Sequence, residues 1–158
     1  MQKTALPKTL PLIPLYLMLV FSPDVAAWVY EKTGGVVGPH TAGFGWEKDG
    51  ILTSGFAIEG WTKHNIYVHQ RIEKPPNRTM WWSITNYCFN QLNVDRITAL
   101  VPSSNTKALS LNKKIGFEYE GELKKAAHDG SNLIAMVMWK ENCRMLSWRH
   151  EVKPEMMI

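Results

Sequence analysis

Apolar and polar positions along this chain repeat in two rhythms, one of period two and one near 3.6, and the changes between them mark its elements. Leu15–Phe21 is an apolar run that reads as a first buried strand. Ser22-Pro23-Asp24 caps a helix behind it, and Asp24–Lys32 places Val25, Trp28 and Val29 on one side. The glycine-rich stretch Thr33–Gly45 reads as a loop leading into a hairpin, Ala42–Lys48 and Ile51–Glu59. Its turn is Asp49-Gly50, a pair that takes positive φ at both central positions at little cost. A second turn near Gly60–His64 leads into Asn65–Glu73, where Ile66, Val68, Gln70 and Ile72 alternate with Tyr67, His69, Arg71 and Glu73. Pro75 and Pro76 then end the strand, because proline cannot donate to a ladder.

The second half switches period. Arg78 or Thr79 opens a long helix running to Asn93, with Trp81, Ile84, Cys88 and Leu92 in one stripe widened by Thr85 and Phe89. Arg96–Val101 is an apolar strand, and the strand–helix–strand unit so formed predicts a parallel pair with a right-handed crossover. Ser104 or Asn105 can cap a following helix whose Ala108, Leu111 and Ile115 share a face, and Gly116 supplies the left-handed position that stops it. In Phe117–Leu123 the pattern predicts Phe117, Tyr119, Gly121 and Leu123 inward and three glutamates outward. Asp129-Gly130 is a turn, and Leu133–Trp139 returns as a buried strand. The order predicts an α/β (α+β) fold: a mixed, mostly antiparallel central sheet of six or seven strands with helices on both faces.

At 158 residues and 45% hydrophobic content the expectation is one globular domain, with a core at about residues 15–141 and a short basic, Met-rich tail. The formal charge of +4 favours an anionic partner, yet no basic run or basic–aromatic interleaving points to nucleic acid. Cys88 and Cys143 are too few for a disulfide framework, and the five histidines have no metal spacing, so cytoplasmic residence without a metal is the expectation. Lys3 and Lys8 before Leu10–Phe21, with Val25-Ala26-Ala27 behind it, also fit a secretory leader. Pro11 and Pro14 interrupt that run and it is too short to span a bilayer, so the strand is preferred and no membrane is expected.

The strand Arg96–Val101, the Asn-started helix, Gly116-Phe117 and the Glu-rich strand resemble the C-terminal half of the GNAT superfamily of acyl-CoA-dependent N-acyltransferases. The closing segment GFEYEGELKKAAHDGSNLIAMVMWKENCRML looks especially like the ribosomal-protein acetyltransferase branch and small phage-encoded relatives. The resemblance implies acetyl-CoA as cosubstrate and a primary amine, on a protein or peptide, as acceptor, in a monomer or homodimer. A GNAT-like binding or virion-associated module that has lost catalysis is the alternative it leaves open. It also implies backbone contacts to pantetheine from Gln70, Arg71 and Ile72 on a strand splayed from its neighbour, and a pantetheine contact from Asn105, which can equally be a helix cap alone. Lys107 and Lys113 would approach the phosphates. The family's phosphate turn is glycine-rich because helix N–H groups hold the pyrophosphate. Here it corresponds to Lys74-Pro75-Pro76-Asn77-Arg78-Thr79, with a basic Lys74 but with Asn77 and Thr79 where the glycines stand.

Acyl transfer to an amine needs a base for the amine proton and a group to protonate the departing thiolate. Many GNAT relatives use a tyrosine at the position of Asn112, counted here with the cofactor contacts, and the ribosomal-protein branch a serine at that of Ala108. His69, mid-strand beside the implied groove, is the base candidate, with Glu59 and Glu73 behind it. Ser110 is the nearest hydroxyl to help the thiolate leave.

Overall fold

Seven strands and three α-helices follow one another in the computed structural model, which describes residues 18–151. Residues 15–17 of the predicted first strand, most of the stretch also read as a leader, and residues 152–158 of the tail lie outside the described residues. In chain order the elements are β1 (Met18–Phe21), α1 (Pro23–Thr33), β2 (Ala42–Lys48), β3 (Ile51–Glu59), β4 (Asn65–Ile72), α2 (Arg78–Asn86), β5 (Arg96–Pro102), α3 (Thr106–Ile115), β6 (Glu118–Leu123) and β7 (Leu133–Trp139). The strands form one sheet in the order β1-β2-β3-β4-β5-β7-β6, antiparallel everywhere except between β4 and β5. The mixed, mostly antiparallel sheet with helices on both faces is therefore as the pattern predicts.

Strand alternation divides the core into two layers. On one face Ala57 meets Val25, Ala26, Val29 and Tyr30 of α1. On the other, Phe56, Ile58 and Ile66 pack against Trp81, Ile84 and Cys88 from the α2 region and Ile115 of α3. The Ser22 hydroxyl caps α1 by accepting from the Asp24 N–H at 3.1 Å, and Gly34 at φ 81° ends it. The helix lies so close to β2 that a Cβ on Gly43 would stand 2.1 Å from the Ser22 carbonyl oxygen and 2.5 Å from the Ala26 nitrogen. Only a glycine permits that approach. The predicted hairpin turn is present, with Asp49 at φ 53° and Gly50 at φ 76°.

Two local expectations are corrected. The helix predicted through Asn93 ends as an α-helix at Asn86 and continues as a π turn over Tyr87–Gln91, where the Leu92 N–H donates to the Tyr87 carbonyl at 2.9 Å. The extra residue lets Cys88 and Phe89 both become fully buried while Leu92 is only partly covered. Of the expected inward row Phe117 packs against the core, but within β6 Tyr119 is 65% and Leu123 49% exposed. β6 is an edge strand paired only with β7, and its register slips between Tyr119 and Gly121. Glu120, at the slip, meets the Arg96 guanidinium, with Nη1 donating to Oε1 at 2.7 Å. Alternation records which residues could face a core, and whether they do depends on what packs over the strand.

Gly43→Ala should destabilise the protein by about 3 kcal/mol or more, because the methyl meets backbone that cannot yield. Urea unfolding would measure this, and a loss below about 1 kcal/mol would mean α1 is free to shift.

Candidate active site

The sheet is continuous at one end of the β4–β5 seam and open at the other. Asn65–Tyr67 pair with Arg96–Thr98, and beyond them no residue of one strand pairs with the other. β4 stays with β3 as far as Ile72, while β5 stays with β7 as far as Pro102. From Val68 onward the two strands diverge and leave facing backbone edges without a strand partner. A cleft of about 570 Å³ occupies the divergence. Val68, His69 and Gln70 line it from β4, Ala99–Pro102 from β5, Asn105, Ala108 and Asn112 from the start and inner face of α3, and Gly34 and Gly35 from the loop after α1.

His69 sits on the α1 side of this cleft. Its Nε2 is 2.8 Å from Glu59 Oε1, and its ring meets the Tyr30 ring edge-on at 5.3 Å between centroids. With Glu59 holding Nε2 in the protonated form, Nδ1 is the ring atom left to accept a proton. Glu59 thus acts on the cleft through His69 and does not itself line it. The Tyr30 hydroxyl is buried beside Glu59 and Thr41, and neither contact has full hydrogen-bond geometry. Burial first, and the Glu59 carboxylate second, push its pKa well above the ordinary phenol value, so it stays neutral. Gly35 packs on the same ring, where a Cβ would stand 2.3 Å from Tyr30 Cδ1. Glu73 is poorly suited as a base: hydrogen bonds from Arg71 Nε at 2.7 Å and Lys32 Nζ at 3.1 Å hold its carboxyl below the usual range.

Facing α3, Gln70 Nε2 donates to Asn112 Oδ1 at 2.6 Å, and Asn112 is 1% exposed. Asn105 lines the cleft and also caps α3, its Oδ1 accepting from the Ala108 N–H at 3.1 Å. Opposite, Asp129 accepts from the Ser104 hydroxyl and from the Ser131 hydroxyl and N–H, which draws its pKa down to about 2. These contacts tie the start of α3 to the β6–β7 turn across the mouth of the cleft.

The other predicted residues lie outside the cleft lining. The Arg71 side chain turns to α1, with its guanidinium 4.0 Å over the Trp28 ring and Nη1 donating to the Trp28 carbonyl and Glu31. Ile72 packs into the core under α2. Asn77 caps α2 by accepting from the Met80 N–H at 2.9 Å, and Arg78 lies 5.0 Å over the Trp148 ring. Lys74, Thr79, Lys107, Ser110 and Lys113 do not line the cleft, and Ser110 and Lys113 are exposed on α3. Sequence reasoning missed Tyr30 and the Ser104–Asp129 tie. Tyr30 carried a usable signal, since it stands four residues after Ala26 on the buried face of α1.

No group of three or more His, Cys, Asp or Glu among the described residues could hold a metal ion. A family model described as an acetyltransferase (GNAT) domain matches residues 39–138. No curated protein sequence matches the chain. Similar solved structures include a chimera of the Vibrio cholerae spermidine N-acetyltransferase SpeG and hSSAT, 15% identical, TM-score 0.62, covering 80% of this chain and 96% of that one. The Vibrio cholerae spermidine N-acetyltransferase in complex with CoA and spermine is 19% identical, TM-score 0.58, covering 75% and 76%. The Campylobacter jejuni N-acetyltransferase PseH in complex with acetyl coenzyme A is 19% identical, TM-score 0.53, covering 65% and 70%. Identities this low establish a shared fold.

Both cysteines are buried free thiols, and burial pushes Cys88 up to about 12 and Cys143 upward as well. Neither should react with a thiol reagent at pH 8 within minutes in the native protein, and both should react once urea unfolds it. Rapid native modification would show a thiol open enough to act as a nucleophile.

Proposed function

The chain belongs to the GNAT acetyltransferase family, and from that membership we propose that it moves an acetyl group from acetyl-CoA to a primary amine on a protein or peptide, by direct attack. The observation that carries this is the β4–β5 divergence, where an unpaired strand edge borders a cleft that also holds His69 backed by Glu59. An open edge of this kind accepts an extended amide-bearing arm as an added strand, and the pantetheine of CoA is such an arm. Gln70 borders the cleft and Asn105 stands at the opposite wall, and Arg71 and Ile72 would extend the same strand edge with backbone groups beyond the lining. Lys74, Asn77, Arg78, Thr79, Lys107 and Lys113 would meet the phosphates from outside the cleft. The fit is weaker there, because Pro75 and Pro76 precede the α2 cap and Pro76 offers no N–H.

His69 takes the proton of the attacking amine on Nδ1, Glu59 steadies the charged ring, and main-chain N–H groups of β4 polarise the thioester carbonyl. Asn112 has no proton to release and Ser110 is exposed outside the lining, so the thiolate departs without a strong acid. The acceptor side favours a peptide over a polycation. Asp129 is the one carboxylate lining the cleft among the described residues, and its oxygens already bind Ser104 and Ser131. The loop after α1 is exposed throughout Gly34–His40, which leaves room for a macromolecule. The proline-bearing turn favours a second reading, a binding module that has lost catalysis.

Calorimetry with acetyl-CoA separates the two: measurable heat and a raised melting temperature are expected, and neither at millimolar ligand would favour the lapsed module. With a lysine-bearing peptide and acetyl-CoA, His69→Ala should lower the rate by about 10²-fold while leaving CoA affinity nearly unchanged. An unaltered rate would remove His69 from the mechanism.

A further inference from the structure

A second cavity, of about 30 Å³, lies directly behind the cleft, between the sheet and helices α2 and α3. The two share Val68, Gln70, Ala99 and Asn112 as common wall. Beyond that wall the inner cavity is lined by residues such as Phe56, Trp81, Ile84, Ile97, Met138 and Met145. Thr85 also lines it, but its hydroxyl is committed to the Trp81 and Trp82 carbonyls at 2.8 and 3.2 Å. A buried water needs two to four polar partners, and behind the amide pair the lining is almost wholly apolar. Its fitting occupant is a small alkyl group.

We propose that this cavity receives the end of an acyl chain, so that the protein transfers acyl groups one or two carbons longer than acetyl. The inference rests on the acyltransferase reading above and names its donor more closely. Gln70 follows His69 in β4, and its side chain points to the opposite face of the sheet. An acyl carbon positioned for His69-assisted attack therefore stands next to the wall that the Gln70–Asn112 hydrogen bond closes. Rotation of the half-buried Gln70 away from Asn112 opens that wall to a methyl or ethyl group. Met138 and Met145 on the far side are side chains that adapt to an added group. The chemistry balances as in acetyl transfer: the carbonyl carbon forms its bond to nitrogen, the carbon–sulfur bond breaks, the thiolate leaves, and the amine proton passes to His69.

Each buried methylene adds about fourfold to affinity, and loss of the Gln70–Asn112 hydrogen bond removes about as much. Calorimetry and peptide-transfer rates should be measured for acetyl-, propionyl-, butyryl- and octanoyl-CoA on the unmodified protein. Propionyl- and butyryl-CoA are expected to bind within about threefold of acetyl-CoA or more tightly and to be transferred, with octanoyl-CoA at least tenfold weaker. Ile84→Phe, which fills the cavity from α2, should cost butyryl-CoA at least tenfold while acetyl-CoA is held as before. The ladder on the unmodified protein needs no variant to fold. A tenfold fall from acetyl to propionyl overturns the proposal and leaves acetyl transfer standing. Octanoyl-CoA binding as well as butyryl-CoA also overturns it, since that chain must lie in the open cleft. Failure of every CoA thioester to bind overturns both readings.

Discussion

Three consecutive pairs hold the two halves of the sheet together, and the cleft exists because there are only three. β4 is committed to β3 over Tyr67–Ile72 and β5 to β7 along its length, in ladders of six and seven pairs. The parallel contact between them is confined to Asn65–Tyr67 and Arg96–Thr98. It is pinned at its start, where the His64 carbonyl accepts from the Asp95 and Arg96 N–H groups at 2.9 and 3.0 Å. The Thr98 hydroxyl reaches Asn65 Oδ1 at 2.5 Å beside it. Past this hinge each strand follows its antiparallel neighbour, the stronger partner per residue. The opening thus arises from competition between ladders, and beside it Gln70 of β4 is tied to Asn112 of α3.

Because side chains alternate along a strand, the diverging segment of β4 sends different chemistry to its two sides. His69 goes to the side of α1, where Tyr30 and Glu59 fix its ring, while Val68 and Gln70 go to the side of α2 and α3. The His69 ring is placed only as well as α1 is placed. Gly43 lets that helix rest on β2, and Arg71 ties its last turns to β4 through the Trp28 carbonyl and Glu31. The Tyr30 hydroxyl, buried beside Glu59 and Thr41, closes the α1 side of the His69–Glu59 pair.

Most of the architecture was legible because the elements are locally consistent. Period-two alternation in Asn65–Glu73, the Asp49-Gly50 turn and the Asn105…Gly116 caps each name their element without help from the rest of the chain. The corrections have non-local causes. Whether Tyr119 is covered depends on what packs over β6, and where α2 relaxes into a π turn depends on fitting both Cys88 and Phe89 into one core. In the site, His69 and Asn105 follow from their places on a strand and at a helix start. Their partners do not, since Glu59 and Tyr30 meet His69 only when β3, β4 and α1 assemble. Asn112 was noted for a missing tyrosine, whereas its contact is a hydrogen bond across 42 positions of chain.

Under the proposed function, the same competition of ladders makes the open strand edge beside His69 independent of the Lys74–Thr79 turn, which would face the phosphates. An unpaired strand edge offers N–H and C=O groups whatever side chains it carries, so the alignment of an extended arm beside His69 does not depend on residue identity at 70–72. A phosphate turn is different. It needs backbone that closes tightly around an anion, which glycine allows and Pro75-Pro76 restricts. Under the proposed function, Pro75-Pro76 would weaken the grip on the distant end of an acyl-CoA and leave the reacting end aligned. The expected signature in an acyltransferase is weaker donor binding with transfer at the bound state preserved, because the hinge at Asn65–Tyr67 sets the second independently of the turn at Lys74–Thr79.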